Sequence, residues 1–221
     1  MGKKRNASSL ISELKRKTRK AYNSEEKIRI VMKFTKLEIP DLVLCEPYVF
    51  GDDRGYFSET FRQDELDDFL GHSLKFCQDN ESKSTFGVLR GLHYQLPPYA
   101  QTKLVRVTEG SVLDVAVDIR KGSPSFGNHV SVELSAENKK QLLVPRGFAH
   151  GFVVLSNVAI FNYKVDNYYN PESDRGIVFD DSKINIDWRI EKDKLQLSSK
   201  DIQQPLFENA EHFKYEMNLY A

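Results

Sequence analysis

Short stretches in which apolar and polar residues alternate follow one another along most of this chain. The clearest is NHVSVELS, where Val130, Val132 and Leu134 fall on one face of an extended strand and the residues between them are polar. QTKLVRV and SVLDVAVDIR form a hairpin-like pair, with Glu109 and Gly110 between them as a tight turn. The same strand pattern continues in KFTKLEI, KQLLVP, GFVVLS and VAIFNYKVDNYY.

Helical periodicity is confined to two stretches, RQDELDDFLGH and the later NAEHFKYEMN. Glycines and prolines separate the strands at short intervals. This spacing favours an all-β chain, built as a double-sheet jelly roll or barrel with a few short helices.

The first 31 residues differ in composition from the rest, because they are basic and poor in large apolar side chains. They contain no apolar segment of the secretory-signal type. Three interpretations stay open: a disordered or non-native basic extension, a short helix that packs on a partner, or a tail for nucleic acid or membrane. Met32 opens MKFTKLEIPDLVLCEP, so we place one domain at residues 32–221.

Composition narrows the classes of function. Hydrophobic residues make up 40% of the chain, which supports a core, and no run approaches the roughly 20 apolar residues of a spanning helix. Lys and Arg total 32 and Asp and Glu total 32, so the net charge is zero and provides no electrostatic attraction to nucleic acid or anionic lipid. Two cysteines without a CxxC pattern fit a reducing compartment. We therefore expect a cytoplasmic protein that binds neither nucleic acid nor membrane.

PRGFAHGF contains the P-x-G-x-x-H core of the second cupin motif, at Pro145, Gly147 and His150. The chain in this respect resembles a cupin barrel, whose interior usually holds a divalent metal on three histidines and a glutamate.

The first cupin motif is altered at two of its three ligand positions. Its pattern is H-x-H followed by a glutamate seven residues before a glycine. His93 occupies the first position, but Gln95 replaces the second histidine, and Lys103 stands seven residues before Gly110. A protonated lysine cannot ligate a metal and its charge repels one. We therefore expect no metal in this site.

A histidine and a lysine in a metal-free interior are suited to proton abstraction beside a carbonyl. Neutral His93 is a suitable base, Lys103 can stabilise the enolate oxygen, and a phenol such as Tyr163 can return a proton from the opposite face. Each residue also has a structural interpretation. His93 can be a hydrogen-bonded core residue, Lys103 an edge-strand lysine, and Tyr163 a core aromatic with a satisfied hydroxyl.

From Met32 onward the chain resembles the dTDP-4-dehydrorhamnose 3,5-epimerase family of metal-free cupin enzymes. The resemblance implies epimerisation of dTDP-4-dehydro-6-deoxy-D-glucose at carbons 3 and 5 through an enolate, without a cofactor. The motifs that carry it are DDRGYFSETF, QDNESKSTFGVLRGLHYQLPPYAQTKLVRV, DVAVDIRKGSPSFG, QLLVPRGFAHGF, NYKVDNYYNPE and LSSKD.

The family's catalytic roles fall on four positions. The resemblance makes His93 the base and Asp201, in LSSKD, the carboxylate that pairs with it. Lys103 stabilises the enolate and Tyr163 returns the proton. No local spacing reveals the pairing of His93 with Asp201.

The family's binding roles fall on nine further positions, and some of these residues serve a neighbouring subunit in the family, which implies a homodimer. Arg90 corresponds to a diphosphate contact, and Tyr169 to a stacking aromatic. The supporting pocket residues are Asp114 and His150, and the nucleotide contacts are Arg54, Phe57, Glu59, Gln78 and Asn80.

Two places depart from the family pattern. Asp174 stands where the family often has glutamate, and FDDS at residues 179–182 replaces WDDP. Both lie outside the catalytic set, so the resemblance carries no ligand contact from that loop.

Three other functions stay open from the sequence. A single-carbon epimerase on a related nucleotide sugar would share every motif. A metal-dependent cupin enzyme is opposed by Gln95 and Lys103. A non-catalytic nucleotide-sugar binding module would have no use for the His-Lys-Tyr set.

Overall fold

A computed structural model describes residues 32–220, and the expected basic extension at residues 1–31 lies outside the described residues. Two antiparallel sheets face each other, as the all-β jelly-roll interpretation requires. The first sheet has the spatial order β1 (Met32–Lys36), β2 (Val43–Pro47), β11 (Gln141–Val144), β7 (Lys103–Glu109), β13 (Val158–Val165) and β5 (Gln78–Thr85). The second has the order β10 (His129–Ser135), β8 (Ser111–Asp118), β12 (Phe148–Val154), β6 (Leu89–Gln95) and β14 (Asp174–Gly176).

Smaller elements lie at the edges of the two sheets. β3 and β4 form a short antiparallel hairpin, and β9 pairs in parallel with β15. The bounds are β3 (Phe50–Asp52), β4 (Gly55–Phe57), β9 (Arg120–Lys121), β15 (Phe213–Lys214), α1 (Gln63–Leu70), α2 (Ser199–Ile202), and 3₁₀ turns at Lys192–Lys194 and Phe207–Asn209. Within residues 32–220, no helix is both long and apolar enough to cross a bilayer.

The strands β7 and β8 confirm the predicted elements, but the hairpin-like pairing was wrong. β7 pairs with β11 and β13 in the first sheet, whereas β8 pairs with β10 and β12 in the second. Gly110 makes the change of sheet, with a φ of +73°, and a Cβ there would lie 2.0 Å from the Val158 carbonyl oxygen. The tight turn therefore joins the two sheets instead of closing a ladder.

The predicted helix in NAEHFKYEMN is also wrong. The segment contains strand β15, in which Phe213 is 3% exposed and its ring lies 5.9 Å from that of Tyr94. Its backbone pairs with Arg120 of β9. Burial of this aromatic ring and the ladder bonds outweigh the local helical tendency, which is a weak determinant on its own. The helix predicted from RQDELDDFLGH is confirmed as α1.

Both faces of the second sheet are buried. One face packs against the first sheet, where Phe152 of β12 stacks on Phe161 of β13 with ring centroids 4.1 Å apart. The other face is covered by residues 177–213, including Ile177, Trp188 and Phe207. This double burial explains why β8 reads as an almost continuous apolar run.

Strands β6 and β12 approach unusually closely at two glycines. The register of the pair shifts between His150 and Phe152, and a Cβ on Gly91 would lie 2.5 Å from the Cα of Gly151. Gly91 has a φ of +124°, a conformation that side-chain-bearing residues rarely adopt. Glycine at this position therefore lets β6 bring His93 against β12.

Candidate active site

A cavity of about 600 Å³ opens between the two sheets, within the usual size range of small-ligand sites. Both sheets and the helix α2 contribute to its wall. Its floor includes the stacked rings of Phe152 and Phe161. The polar and charged side chains that line it are Asn80, Glu81, Ser82, Arg90, His93, Lys103, His150, Tyr163, Gln196, Ser198, Lys200 and Asp201.

His93 and Asp201 meet at the wall formed by β6 and α2, although 107 residues separate them in the chain. His93 Nε2 lies 2.7 Å from Asp201 Oδ1, off the direction of the ring N–H. Asp201 is 3% exposed, while the His93 side chain keeps 29% of its surface open. The contact leaves Nδ1 of His93 as the ring nitrogen available to a ligand.

Besides His93, two hydrogen-bond donors hold the buried carboxylate of Asp201. The Gly91 N–H donates to Oδ1 at 3.2 Å, and the Ser198 hydroxyl donates to Oδ2 at 2.5 Å. Ser198 is also the N-cap of α2 and accepts the Asp201 N–H. Burial raises the pKa of Asp201, but the contacts with His93 and with these donors outweigh burial and lower the pKa to about 2. Asp201 is therefore ionised in the neutral pH range.

A second histidine–carboxylate pair lies beside the first. His150 is the β12 residue opposite His93 of β6, and its Nε2 is 2.9 and 3.0 Å from the two oxygens of Asp114. Asp114 has no exposed surface and His150 is 6% exposed. His150 lines the cavity, whereas Asp114 supports it from behind.

Lys103 starts β7 and brings a cation into the cavity from the first sheet. No ion pair within residues 32–220 involves its ammonium group. Burial lowers the pKa of Lys103 to about 8, against the opposing effect of the carboxylates of Asp114 and Asp174. The ammonium group is therefore charged at pH 7 but close to its titration range.

Tyr163 projects from β13, so it reaches the cavity from the sheet opposite His93. Burial raises the pKa of its phenol, with a smaller opposing effect from Arg90. The phenol therefore stays protonated through the neutral range and is able to donate a proton.

Two further cations lie at this cavity. Arg90 holds Ser84 through Nε and one terminal nitrogen, each 3.3 Å from the hydroxyl. Lys200 forms an ion pair with Asp174, which also accepts the Tyr169 hydroxyl at 3.0 Å. The sequence reasoning did not select Lys200 or Ser198. The sequence features that could have identified them are the position of Lys200 directly before Asp201 and, for Ser198, the S-x-x-D capping pattern in LSSKD.

Five of the expected ligand contacts do not line this cavity. Arg54 and Phe57 lie on the exposed β3–β4 hairpin, where Arg54 pairs with Asp52 at 2.6 Å. Glu59 lines a separate surface pocket with Phe57, and Gln78 donates to Asn80 at 2.7 Å. Tyr169 is 59% exposed and is held by Asp174 outside the cavity lining. Within one chain these five positions lie outside the cavity, and their role as ligand contacts stays a prediction that depends on a second subunit.

Gln95, which replaces a cupin ligand histidine, is fully used in hydrogen bonds. Its Nε2 donates to the carbonyls of Tyr99 and Tyr168, at 2.7 and 3.1 Å, and its Oε1 accepts the Asn170 N–H at 2.7 Å. Across residues 32–220, no three His, Cys, Asp or Glu side chains are grouped in a way that could hold a metal.

Comparison with known proteins identifies relatives along most of the chain. A profile described as dTDP-4-dehydrorhamnose 3,5-epimerase matches residues 36–209. The dTDP-4-dehydrorhamnose 3,5-epimerase of Shigella flexneri is 56% identical over 182 residues, covering 82% of this chain and 99% of that protein.

Solved structures agree in fold. The dTDP-6-deoxy-D-glucose-3,5-epimerase of Legionella pneumophila, in complex with dTDP-4-keto-L-rhamnose, has a TM-score of 0.81 and 46% identity, covering 84% of this chain and 100% of that chain. The dTDP-4-dehydrorhamnose 3,5-epimerase of Elizabethkingia anophelis has a TM-score of 0.78 and 51% identity, covering 80% of this chain and 97% of that chain.

The lowered pKa of Asp201 predicts an acid-dependent share of stability. Relative to the ordinary value of 3.8, a folded pKa of about 2 contributes on the order of 2 kcal/mol to the free energy of unfolding. This contribution is present above about pH 5 and is lost as the pH falls toward 2. We expect Asp201→Asn to be less stable than wild type at pH 6, with the difference shrinking toward pH 2.5 in urea unfolding.

Asp68→Asn, on the exposed side of α1, is the matched control and should show little difference from wild type at either pH. A gap between Asp201→Asn and wild type that stays constant with pH would contradict the assignment.

Proposed function

The chain belongs to the dTDP-4-dehydrorhamnose 3,5-epimerase family, and from this membership we propose that it converts dTDP-4-dehydro-6-deoxy-D-glucose into dTDP-4-dehydro-L-rhamnose by inverting carbons 3 and 5. The observation that carries the mechanism is the placement of a base and an acid on opposite walls. His93 lies on β6 of the second sheet and Tyr163 on β13 of the first. Inversion of a carbon needs this arrangement, since the proton leaves one face and returns to the other.

His93 acts as the base in this proposal. The 4-keto group acidifies the C–H bonds at carbons 3 and 5, and Nδ1 of His93 takes the proton while the electron pair forms an enolate. Asp201, ionised and buried, orients the ring through Nε2 and stabilises the imidazolium that forms.

Lys103 stabilises the enolate oxygen that develops at carbon 4. Its ammonium group has no ion-pair partner within the described residues, so its charge is available to the reacting oxygen. Tyr163 then gives its phenolic proton to the carbon from the opposite face. Its raised pKa keeps this proton in place until the enolate forms. Afterwards the imidazolium of His93 releases its proton to solvent, and the phenolate of Tyr163 takes one from solvent.

The remaining cavity cations fit the diphosphate of the substrate. Arg90 of β6 offers a planar, bidentate donor set, and Lys200 of α2 offers a second positive charge on the same wall. His150, with Asp114 behind it, and Asn80 supply polar contacts for the sugar. None of these steps uses a metal or a nicotinamide.

The five expected ligand contacts that lie outside the cavity support the proposal of a homodimer with shared sites. Tyr48, Val49, Tyr56 and Phe57 are 45–65% exposed around the β3–β4 hairpin, an apolar patch of the kind that marks an interface. Arg54 lies on the same hairpin. We propose that this hairpin enters the cavity of a second copy, where Arg54 and Phe57 contact the nucleotide.

We also propose a cytoplasmic location. Cys45 and Cys77 are both free thiols in the described fold, which fits a reducing compartment.

Deuterium exchange tests the proposed reaction. In D₂O, we expect the protein to replace the protons at both carbon 3 and carbon 5 of dTDP-4-dehydro-6-deoxy-D-glucose, observed as the loss of both NMR signals. Exchange at only one carbon would assign a single-carbon epimerase. No exchange by folded protein would contradict the proposed reaction.

His93→Asn should slow exchange by about 10²- to 10⁴-fold, whereas His129→Asn, outside the cavity lining, should not.

The pKa of Lys103 predicts an alkaline limit on activity. The charged form stabilises the enolate, so kcat/KM should fall as pH rises through about 8, measured from initial rates between pH 6 and 10. In Lys103→Arg, the guanidinium stays charged at every pH tested, so the remaining activity should show no decline near pH 8. A decline near pH 8 that persists in Lys103→Arg would assign the titration to another group.

Mixed dimers test the shared site. One variant carries His93→Asn with an intact hairpin, and the other carries Arg54→Ala and Phe57→Ala with an intact His93. After the two are mixed and allowed to exchange subunits, half of the dimers hold one complete site, so activity should recover to about a quarter of wild type. Activity equal to the mean of the two separate variants would show that each hairpin serves its own chain.

A further inference from the structure

The last described residues, Leu219 and Tyr220, are bound to the sheet directly beside the strand that carries Lys103. The Tyr220 hydroxyl lies 2.9 Å from Oγ1 of Thr102, the residue that precedes Lys103. The same hydroxyl accepts the Arg146 N–H at 3.3 Å. Thr102 has no exposed surface, so its end of this contact is shielded from water, whereas Tyr220 is 46% exposed.

Two more side chains close the arrangement into a ring. Asp166 accepts the Thr102 N–H at 2.6 Å through Oδ1 and Arg146 Nε at 3.0 Å through Oδ2. Arg146 also donates to the Leu219 carbonyl at 2.6 Å and lies 4.9 Å from the centre of the Tyr220 ring. We call these five residues the Tyr220 clamp: Thr102, Arg146, Asp166, Leu219 and Tyr220.

The clamp and the reactive lysine lie on opposite sides of the same backbone. Thr102, Arg146 and Tyr220 line a separate cavity of about 300 Å³, whereas Lys103 lines the cavity of about 600 Å³ between the sheets. The ammonium group of Lys103 has no ion-pair partner within residues 32–220. Its position is therefore set from its backbone, which pairs with Val144 and Val165 in the sheet and which the clamp holds one residue away.

We propose that Tyr220 is a positioning residue for the epimerase reaction, holding the start of β7 through Thr102 so that Lys103 meets the developing enolate oxygen. Tyr220 lies beyond residues 36–209, where the chain matches its family profile. This inference rests on the proposed function, because it needs Lys103 to act in the reaction.

The test compares variants that remove only a hydroxyl group. Tyr220→Phe and Thr102→Val each break the contact between the two hydroxyls, and a double variant combines them. Thr102→Ser keeps the hydroxyl and serves as the conservative rescue. Tyr215→Phe is the matched control. Tyr215 lines the cavity of about 300 Å³ together with Thr102 and Tyr220, but its hydroxyl makes no hydrogen bond to Thr102.

A misplaced Lys103 weakens an interaction that exists only in the transition state, so kcat should fall without a rise in KM. We expect Tyr220→Phe and Thr102→Val each to lower kcat by about 5- to 20-fold, with KM within about twofold of wild type. The double variant should lose no more than either single one, because the two groups act as a unit. Thr102→Ser and Tyr215→Phe should stay within about twofold of wild type.

A purely structural Tyr220 would give a different result. The unfolding midpoint of Tyr220→Phe would fall while kcat per folded molecule stayed at the wild-type value, and this outcome would overturn the inference. Wild-type protein that shows no proton exchange would contradict the proposed function itself. Active wild type with an unchanged Tyr220→Phe would contradict the positioning role alone.

Discussion

The separation of the two sheets is the constraint on which the rest of the structure depends. Phe152 and Phe161 stack across this gap at 4.1 Å between centroids and fill its floor with apolar rings. Above them the sheets stay apart and leave a cavity with His93 on one wall and Tyr163 on the other. A barrel packed throughout its interior would have no room for a sugar ring between the proposed base and the proposed acid.

Charge is distributed unevenly over the two walls. The second sheet and α2 supply two buried carboxylates, Asp114 and Asp201, each in contact with a histidine. The first sheet supplies Lys103, whose ammonium group has no ion-pair partner within residues 32–220. Burial of such a group is unfavourable and lowers the pKa of Lys103, although the more distant carboxylates of Asp114 and Asp174 oppose this effect. In the proposed reaction, a negative charge that develops on a bound enolate would remove this imbalance, so the site would be electrostatically complementary to the proposed intermediate.

The sequence specified strands well because alternation is a local property, as in β10. It did not specify pairing, which depends on residues far apart. β7 and β8 therefore looked like a hairpin although Gly110 sends them to different sheets. The site divides in the same way. His93, Lys103 and His150 stand at recognisable motif spacings, but the contact of Asp201 with His93 spans most of the domain and came only from family resemblance. Arg54 and Phe57 were expected as nucleotide contacts from family resemblance alone, and within one chain they lie outside the cavity, so their role stays a prediction.

Gln95 has a consequence for how this site can change over evolution. Its side-chain amide joins three backbone groups of two loops, at Tyr99, Tyr168 and Asn170. Imidazole at this position could not make the same three bonds, so a histidine here would loosen both loops. A metal site would also require replacement of Lys103. The step from this site to a metal-binding one therefore passes through variants that lose loop contacts before they gain a ligand set.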